Sequence, residues 1–215
     1  MASIGVIDYG MGNLHSLRKS LERVAGSSRV EISYDPEKLL KCDHLVLPGV
    51  GGVRACMDEL RRLELSDLVR EAATRMPLLG VCLGMQVLLD FSDENGGVSA
   101  LGLIPGRVPR FPDPAPDTPR RERLKVPHMG WNQMRFERAH PVLADVPDES
   151  WFYFVHSYYA EPRDPAHVLG SAEYGRRFAA ALARENIVAF QFHPEKSQHA
   201  GLQLLANFVR WDGQS

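Results

Sequence analysis

Apolar residues fall along this chain in two different rhythms. Through the first half, short solid apolar runs alternate with stretches in which apolar positions recur every three or four residues. That is the pattern of βαβ units, which build a parallel sheet covered on both faces. Residues 4–8 predict a first strand. Asn13 stands where a helix cap belongs, ahead of Leu14, Leu17, Leu21 and Val24 at helical spacing, and Gly26 ends that helix. Residues 30–33 and 44–47 predict further strands, while 53–63 and 66–75 predict helices, the second stopped by Pro77. Residues 78–81 predict a buried strand. Its apolar run continues without a spacer through Cys82 to Leu89, which reads as a strand, a sharp elbow and a helix.

The second half changes character. Residues 124–126, 132–136, 151–155, 168–172, 178–183 and 188–192 are β-type runs with hairpin-like separations, so the sheet is expected to gain a mixed or antiparallel extension. A closing helix over 197–211 would turn Leu202, Leu205, Phe208 and Val209 to the core. Between the two regimes, 109–123 carries Pro109, Pro112, Pro114, Pro116 and Pro119 with Asp113 and Asp117, a composition that predicts a Pro-rich surface loop of weak order. Arg120, Arg121, Arg123 and Lys125 follow, but Glu122 interrupts them, which favours a solvated loop flank over a phosphate site.

Composition narrows the function classes. With 215 residues, 44% of them hydrophobic, the chain can bury a full core, and residues 1–215 are read as one domain. Twenty-five Lys and Arg against 27 Asp and Glu give a net charge of -2, which argues against nucleic acid or an anionic membrane as partner. The longest apolar runs, at 77–81 and 87–89, fall far short of the roughly 20 residues that span a bilayer. The first residues lack a basic segment and reach Asp8 early, so they read as a strand and not as a signal peptide. Cys42, Cys56 and Cys82 fit neither a disulfide framework nor a zinc site; a cytoplasmic location and no metal are expected.

Three segments carry chemistry. In Gly80-Val81-Cys82-Leu83-Gly84 a cysteine occupies a strand-to-helix turn with a glycine two residues to each side, as a nucleophile elbow requires. A helix N-terminus there would favour the thiolate. A thiolate that attacks an amide needs a base to protonate the leaving amine, and the base needs an orienting group. His193-Pro194-Glu195 offers both, because residues i and i+2 of an extended segment project to one side. Strand C-terminal ends are where open α/β sheets place their sites, so this pair can meet Cys82. Pro48-Gly49-Val50-Gly51-Gly52 leaves another strand end, with glycines free to aim N–H groups at a developing oxyanion or to flip a peptide. A phosphate loop is disfavoured, since neither Lys-Ser/Thr nor G-x-G-x-x-G spacing is present.

The elbow, together with Gln191-Phe192-His193-Pro194-Glu195-Lys196-Ser197, resembles the class I, triad-type glutamine amidotransferases. Four further blocks resemble the group of that family formed by glutaminase subunits of imidazole glycerol phosphate synthases: Asp8 to Asn13, Pro48 to Gly51, Pro127 to Asn132 and Phe154 to Tyr158. The resemblance spans nearly the whole chain. It departs at Val53, where an aromatic is common, at Ala189, where glycine is usual, and in a longer Pro-rich loop.

The resemblance implies an α/β fold with a central mixed, mostly parallel sheet flanked by helices on a flavodoxin-like core. It implies hydrolysis of L-glutamine to glutamate and ammonia without any cofactor. Cys82 would be the nucleophile, His193 the proton shuttle and Glu195 its orienter. Leu83 and the Val50-Gly51 peptide would supply the oxyanion hole, and Gly49, Gln86, Glu94, Ser157 and Tyr158 would hold glutamine. Ammonia would pass to a separate (β/α)8 cyclase subunit in a heterodimer, since a barrel of about 250 residues does not fit in this chain. Asn13, Trp131, Tyr153 and Lys196 would face that partner. Two alternatives stay open at this point: a glutaminase serving another synthase, such as those making aminobenzoates or pyridoxal phosphate, and a binding subunit that kept the fold without the reaction.

Overall fold

The computed structural model describes residues 2–113 and 124–214; the greater part of the Pro-rich stretch, 114–123, lies outside them. Three βα units set the frame. β1 (Ser3–Ile7) is flanked by β2 (Arg29–Ser33) and β3 (His44–Leu47), both parallel to it, and β4 (Leu78–Val81) and β13 (Ile187–Phe190) continue the parallel series. β12 (Arg177–Arg184), β11 (Val168–Glu173), β8 (His128–Phe136) and β9 (Ser150–His156) then extend the sheet with antiparallel pairings. The order β2-β1-β3-β4-β13-β12-β11-β8-β9 is a mixed sheet, parallel from β2 through β13 and antiparallel from β13 to β9.

Side-chain alternation along these strands divides the core in two. Ile4, Val6, Val46, Leu79 and Val81 face α1 (Leu14–Val24) and α6 (Gln198–Arg210), which contribute Leu17, Leu21, Leu204, Leu205 and Phe208. Ile7, Leu45, Leu47 and Leu78 face the opposite layer of α3 (Val53–Arg62) and α4 (Leu65–Ala72), with Met57, Leu60, Leu65 and Val69.

Several local details differ from the sequence expectations, each for a physical reason. Asn13 takes the N-cap position of α1 but its side chain makes no capping hydrogen bond. A short helix, α2 (Pro36–Leu39), starts where Asp35 accepts the Glu37 N–H at 3.0 Å ahead of a Pro, a cap signal too brief to show as periodicity. The helix after the elbow, α5 (Leu83–Gln86), is a single turn and does not reach Leu89, because the N–H groups of Leu101, Gly102 and Leu103 bond back to the carbonyls of Val87, Leu89 and Leu88. The dipole argument for Cys82 loses most of its weight on so short a helix. Residues 124–126 form no strand. A second, four-stranded sheet of β10 (Glu161–Pro162), β7 (Gly106–Val108), β5 (Phe91–Ser92) and β6 (Val98–Ser99) sits beside the main one. The start of the Pro-rich stretch packs: Arg110 bridges Tyr158, the Phe111 N–H donates to the Ser157 carbonyl at 2.9 Å, and the Phe111 ring is buried beside His156 and Tyr159.

β3, β4 and β13 are adjacent and parallel, with Leu47 opposite Gly80 and Phe190 opposite Val81. The loop at 48–52, the elbow at Cys82 and the His193 segment therefore leave one edge of the sheet together. Their closeness leaves no room for a side chain at position 84. A Cβ on Gly84 would lie 1.9 Å from the Leu47 carbonyl oxygen, so backbone would have to move. Gly84→Ala is expected to destabilise the protein by about 3 kcal/mol or more, read as a shift of the urea midpoint. A Gly84→Ala protein as stable as wild type would mean that the two segments are not held this tightly.

Candidate active site

Cys82 sits at the turn between β4 and α5 with φ 54 and ψ -109, a strained conformation for a residue with a side chain. Neighbours hold it there: its N–H donates to the Phe190 carbonyl at 2.8 Å, and the Met85 N–H donates to its own carbonyl at 3.0 Å. Gly80 keeps the approach thin, since a Cβ there would meet Leu88 Cδ1 at 2.9 Å and the Gly84 carbonyl oxygen at 3.0 Å. The thiol lies 3.9 Å from Gln191 Nε2 and 4.0 Å from the Val155 carbonyl oxygen.

His193 and Glu195 meet, but not through the extended spacing expected: Pro194–Lys196 form a 3-10 turn that leaves the extended His193 and brings Glu195 back beside its ring. Nδ1 of the imidazole lies 2.8 Å from Glu195 Oε1, and both side chains are buried. Burial pulls the imidazole pKa down, but hydrogen bonding to Cys82 and Glu195 and the charges of both outweigh it and raise the value above the ordinary histidine range. With Nδ1 committed to Glu195, Nε2 is left for Cys82. The segment is tied to β9 as well: the His193 N–H donates to the Tyr153 carbonyl at 2.9 Å, and Ser197 Oγ accepts from the Tyr153 N–H at 3.0 Å while donating to the His193 carbonyl at 2.7 Å.

Both segments open on a cavity of about 310 Å³, lined among others by Val50, Gly51, Leu83, Gln86, Glu94, Ser157 and Tyr158. Gly49 and Glu195 lie behind that lining. The backbone group that meets the Leu83 N–H is the Gly49 carbonyl, at 3.4 Å, so the expected oxyanion donor is engaged within the protein. Gly51 is left-handed at φ 89, and Val50 is 37% exposed. Glu94 does more than line the cavity, because its Oε2 accepts the Val53 N–H at 2.7 Å and caps α3. Gln86 Nε2 donates to the Tyr158 carbonyl and to Gln191 Oε1, both at 3.0 Å. Gln191 is fully buried and aims its own amide N–H at Cys82. That role was missed from the sequence, although Gln191 stands only two residues before His193. Tyr9, whose hydroxyl donates to the Pro48 carbonyl at 2.7 Å, was missed too.

The candidate partner residues Trp131, Tyr153 and Lys196 come together. Trp131 and Tyr153 are opposite each other in the β8–β9 register with ring centroids 6.1 Å apart, and Lys196 Nζ lies 5.7 Å from the Tyr153 ring centre. Trp131 is 43% exposed, which sets aside a core role for it, and Met129 at 62% and Trp151 at 54% add two apolar side chains that the sequence did not single out. Asn13 is half-buried at the start of α1. Among the described residues no cluster of His, Cys, Asp and Glu could hold a metal ion, and no helix is long and apolar enough to cross a membrane.

The sequence model of the family described as "Glutamine amidotransferase class-I" matches residues 5–211. The chain is 54% identical over 213 residues to the imidazole glycerol phosphate synthase subunit HisH of Methylococcus capsulatus, covering 99% of this chain and 98% of that protein. It is 53% identical to the subunit of the same name from Nitrosococcus oceani, across 100% of both. Among solved structures, a crystal structure of a glutamine amidotransferase superposes with a TM-score of 0.70 at 17% identity, covering 97% of this chain and 99% of that one. The structure of PurLQS from Thermotoga maritima gives a TM-score of 0.68 at 14% identity, with 97% of each chain covered, so both share the fold. A thiol at a strained elbow beside a histidine–glutamate pair, on a chain matched end to end by these relatives, belongs to the class-I glutamine amidotransferases, within their HisH subunits.

Proposed function

We propose that this chain hydrolyses glutamine to glutamate and ammonia and delivers the ammonia to a separate cyclase subunit, which forms imidazole glycerol phosphate in histidine biosynthesis. The observation that carries the reading is the convergence of Cys82 and the His193–Glu195 pair on one cavity. In it, Cys82 Sγ attacks the side-chain amide carbon, and His193 takes the thiol proton and hands it to the departing ammonia. A water molecule, deprotonated by His193, then attacks the thioester and releases glutamate with the thiol restored. Glu195 holds the imidazole by Nδ1 and stabilises its charged form. Gln86, Glu94 and the backbone at Ser157 and Tyr158 hold the amino-acid end of glutamine, as their place in the cavity supports. Leu83 supplies one N–H to the oxyanion; because the Gly49 carbonyl faces Leu83, the peptide that rotates to supply the other is Gly49–Val50 and not the Val50–Gly51 peptide expected from the sequence, and its rotation frees Leu83.

The partner is read as a (β/α)8 cyclase barrel that docks on the exposed face of β8 and β9 to form a heterodimer. Free thiols at all three cysteines suit a reducing cytoplasm. The family match from 5 to 211 supports reading the chain as one domain. A glutamate-release assay with the cyclase and its ligand tests the activity, and a titration of cyclase tests the face. Truncating an aromatic anchor removes about 2 kcal/mol of binding. Trp131→Ala is therefore expected to weaken the complex by roughly thirtyfold while keeping the melting temperature and Cys82 reactivity. Lys196→Ala is expected to bind but to uncouple the cyclase ligand from glutamine hydrolysis. A Trp131→Ala protein with a collapsed melt and unchanged affinity would remove this docking face.

A further inference from the structure

We infer that Tyr9 is a positioning residue for glutamine hydrolysis: with Glu94 it pins the two ends of the 48–52 loop, so that peptide rotation there is confined to the glycines beside Cys82. The inference rests on the glutaminase reading above.

At the near end, Tyr9 lies just beyond β1 and is buried, and its hydroxyl donates to the Pro48 carbonyl at 2.7 Å. Burial, then the neighbouring Cys56 and Cys82, raise its pKa far above the ordinary phenol value, so the group remains a donor across the working pH range. Pro48 already has its φ fixed by its ring. With its carbonyl held as well, the Pro48–Gly49 peptide plane cannot turn. Gly49 rests directly on this anchor: a Cβ there would meet the Tyr9 hydroxyl at 2.8 Å, Leu83 Cβ at 2.8 Å and the Gly84 nitrogen at 2.9 Å.

At the far end, Glu94 Oε2 accepts the Val53 N–H at 2.7 Å, and a Cβ on Gly52 would meet Glu94 Oε1 at the same distance. The segment that carries Glu94 is itself lashed to α3, since Arg54 donates to the Asn95 carbonyl at 3.1 Å and to the Gly97 carbonyl at 3.0 Å. Between the pins the hold is light. The Gly49 carbonyl accepts from Leu83 at 3.4 Å, near the limit of a useful hydrogen bond, and Gly51 already occupies a conformation that favours glycine. The arrangement is two fixed posts with a pivot between them. An oxyanion donor must arrive within a few tenths of an ångström of its place to act, and fixed posts make the rotated peptide land in one place.

Tyr9→Phe removes the post and keeps the ring. Measured in the full chain saturated with its cyclase partner, kcat is expected to fall about tenfold with KM within about twofold, because the donor acts on the transition state. Alkylation of Cys82 by iodoacetamide, which needs no oxyanion hole, is expected at the wild-type rate. Gly52→Ala attacks the other post by displacing the Glu94 carboxylate, and kcat at saturating glutamine is expected to fall there as well. Wild-type kcat in Tyr9→Phe overturns the inference, as does a loss of kcat matched by an equal loss of alkylation. If Tyr9→Phe fails to fold, Gly52→Ala decides, and wild-type kcat in it is an overturning result. A wild-type complex that releases no glutamate removes the glutaminase reading, and this inference with it.

Discussion

Cys82→Ser is expected to abolish glutamine hydrolysis in the assembled enzyme, with turnover down by more than about 10⁴-fold, while Cys42→Ser and Cys56→Ser keep most of it. The three thiols differ in what surrounds them. Cys42 is half-buried, its sulfur 3.6 Å from the Lys38 carbonyl oxygen, and burial raises its pKa. Cys56 is fully buried in the α3 layer, where burial pushes the thiol up to about 12. Neither meets a base. Cys82 lines the same cavity as His193, whose pKa the thiol helps to raise, and Gln191 aims an N–H at the sulfur, where it can stabilise a thiolate. A serine in its place would present a far weaker acid to the same base. A diazo-ketone analogue of glutamine should label Cys82 alone, and an adduct mapped to Cys42 or Cys56 would overturn the assignment. His193→Ala should approach the damage of losing the thiol. Glu195→Ala should fall short of it by one to two orders of magnitude, since an orienting group can be lost with residual activity.

These assignments were legible because their signals are local. The elbow is written in five consecutive residues, and the His193–Glu195 contact lies within three, although a 3-10 turn makes it and not the two-residue period of an extended chain. Of the parallel strands, β1, β3 and β4 were equally plain, because they are mostly apolar runs between helical periods. What escaped acts across the fold. Tyr9 reaches Pro48 over 39 positions and Gln191 reaches Cys82 over 109, and no spacing encodes such meetings. β5, β6 and β10 are two residues each, too short to alternate. Residues 124–126 do alternate, but among the described residues no strand pairs with them, and β propensity without a neighbour builds no ladder. On β8 the hydrophobic pattern misleads in the opposite sense. Met129 and Trp131 share the face that is left open, so apolar character there points to a surface that something else covers.

That open face and the engaged state of Leu83 lead to the second large effect. The free chain is expected to hydrolyse glutamine at roughly 10²- to 10³-fold below the rate of the complex with cyclase and its ligand, the range set by one missing oxyanion donor. In the protein alone the Gly49 carbonyl faces the Leu83 N–H across a light 3.4 Å contact, so the donor withheld outright is the Val50 N–H on the far side of the same peptide. The nucleophile and base need no such change, because His193 and Glu195 are already joined. Activation should therefore appear in kcat more than in KM, since an oxyanion donor binds the transition state and not the ground state. The physical route from the proposed docking face to the site is short: Tyr153 on β9 accepts from the His193 N–H through its carbonyl and donates to Ser197 through its N–H, and Lys196 sits over its ring. Steady-state kinetics of the free chain, of the complex, and of the complex with cyclase ligand separate the contributions. A free chain that turns over glutamine at the rate of the liganded complex would show that the Gly49–Leu83 contact opens without help, and the gating would have to lie elsewhere.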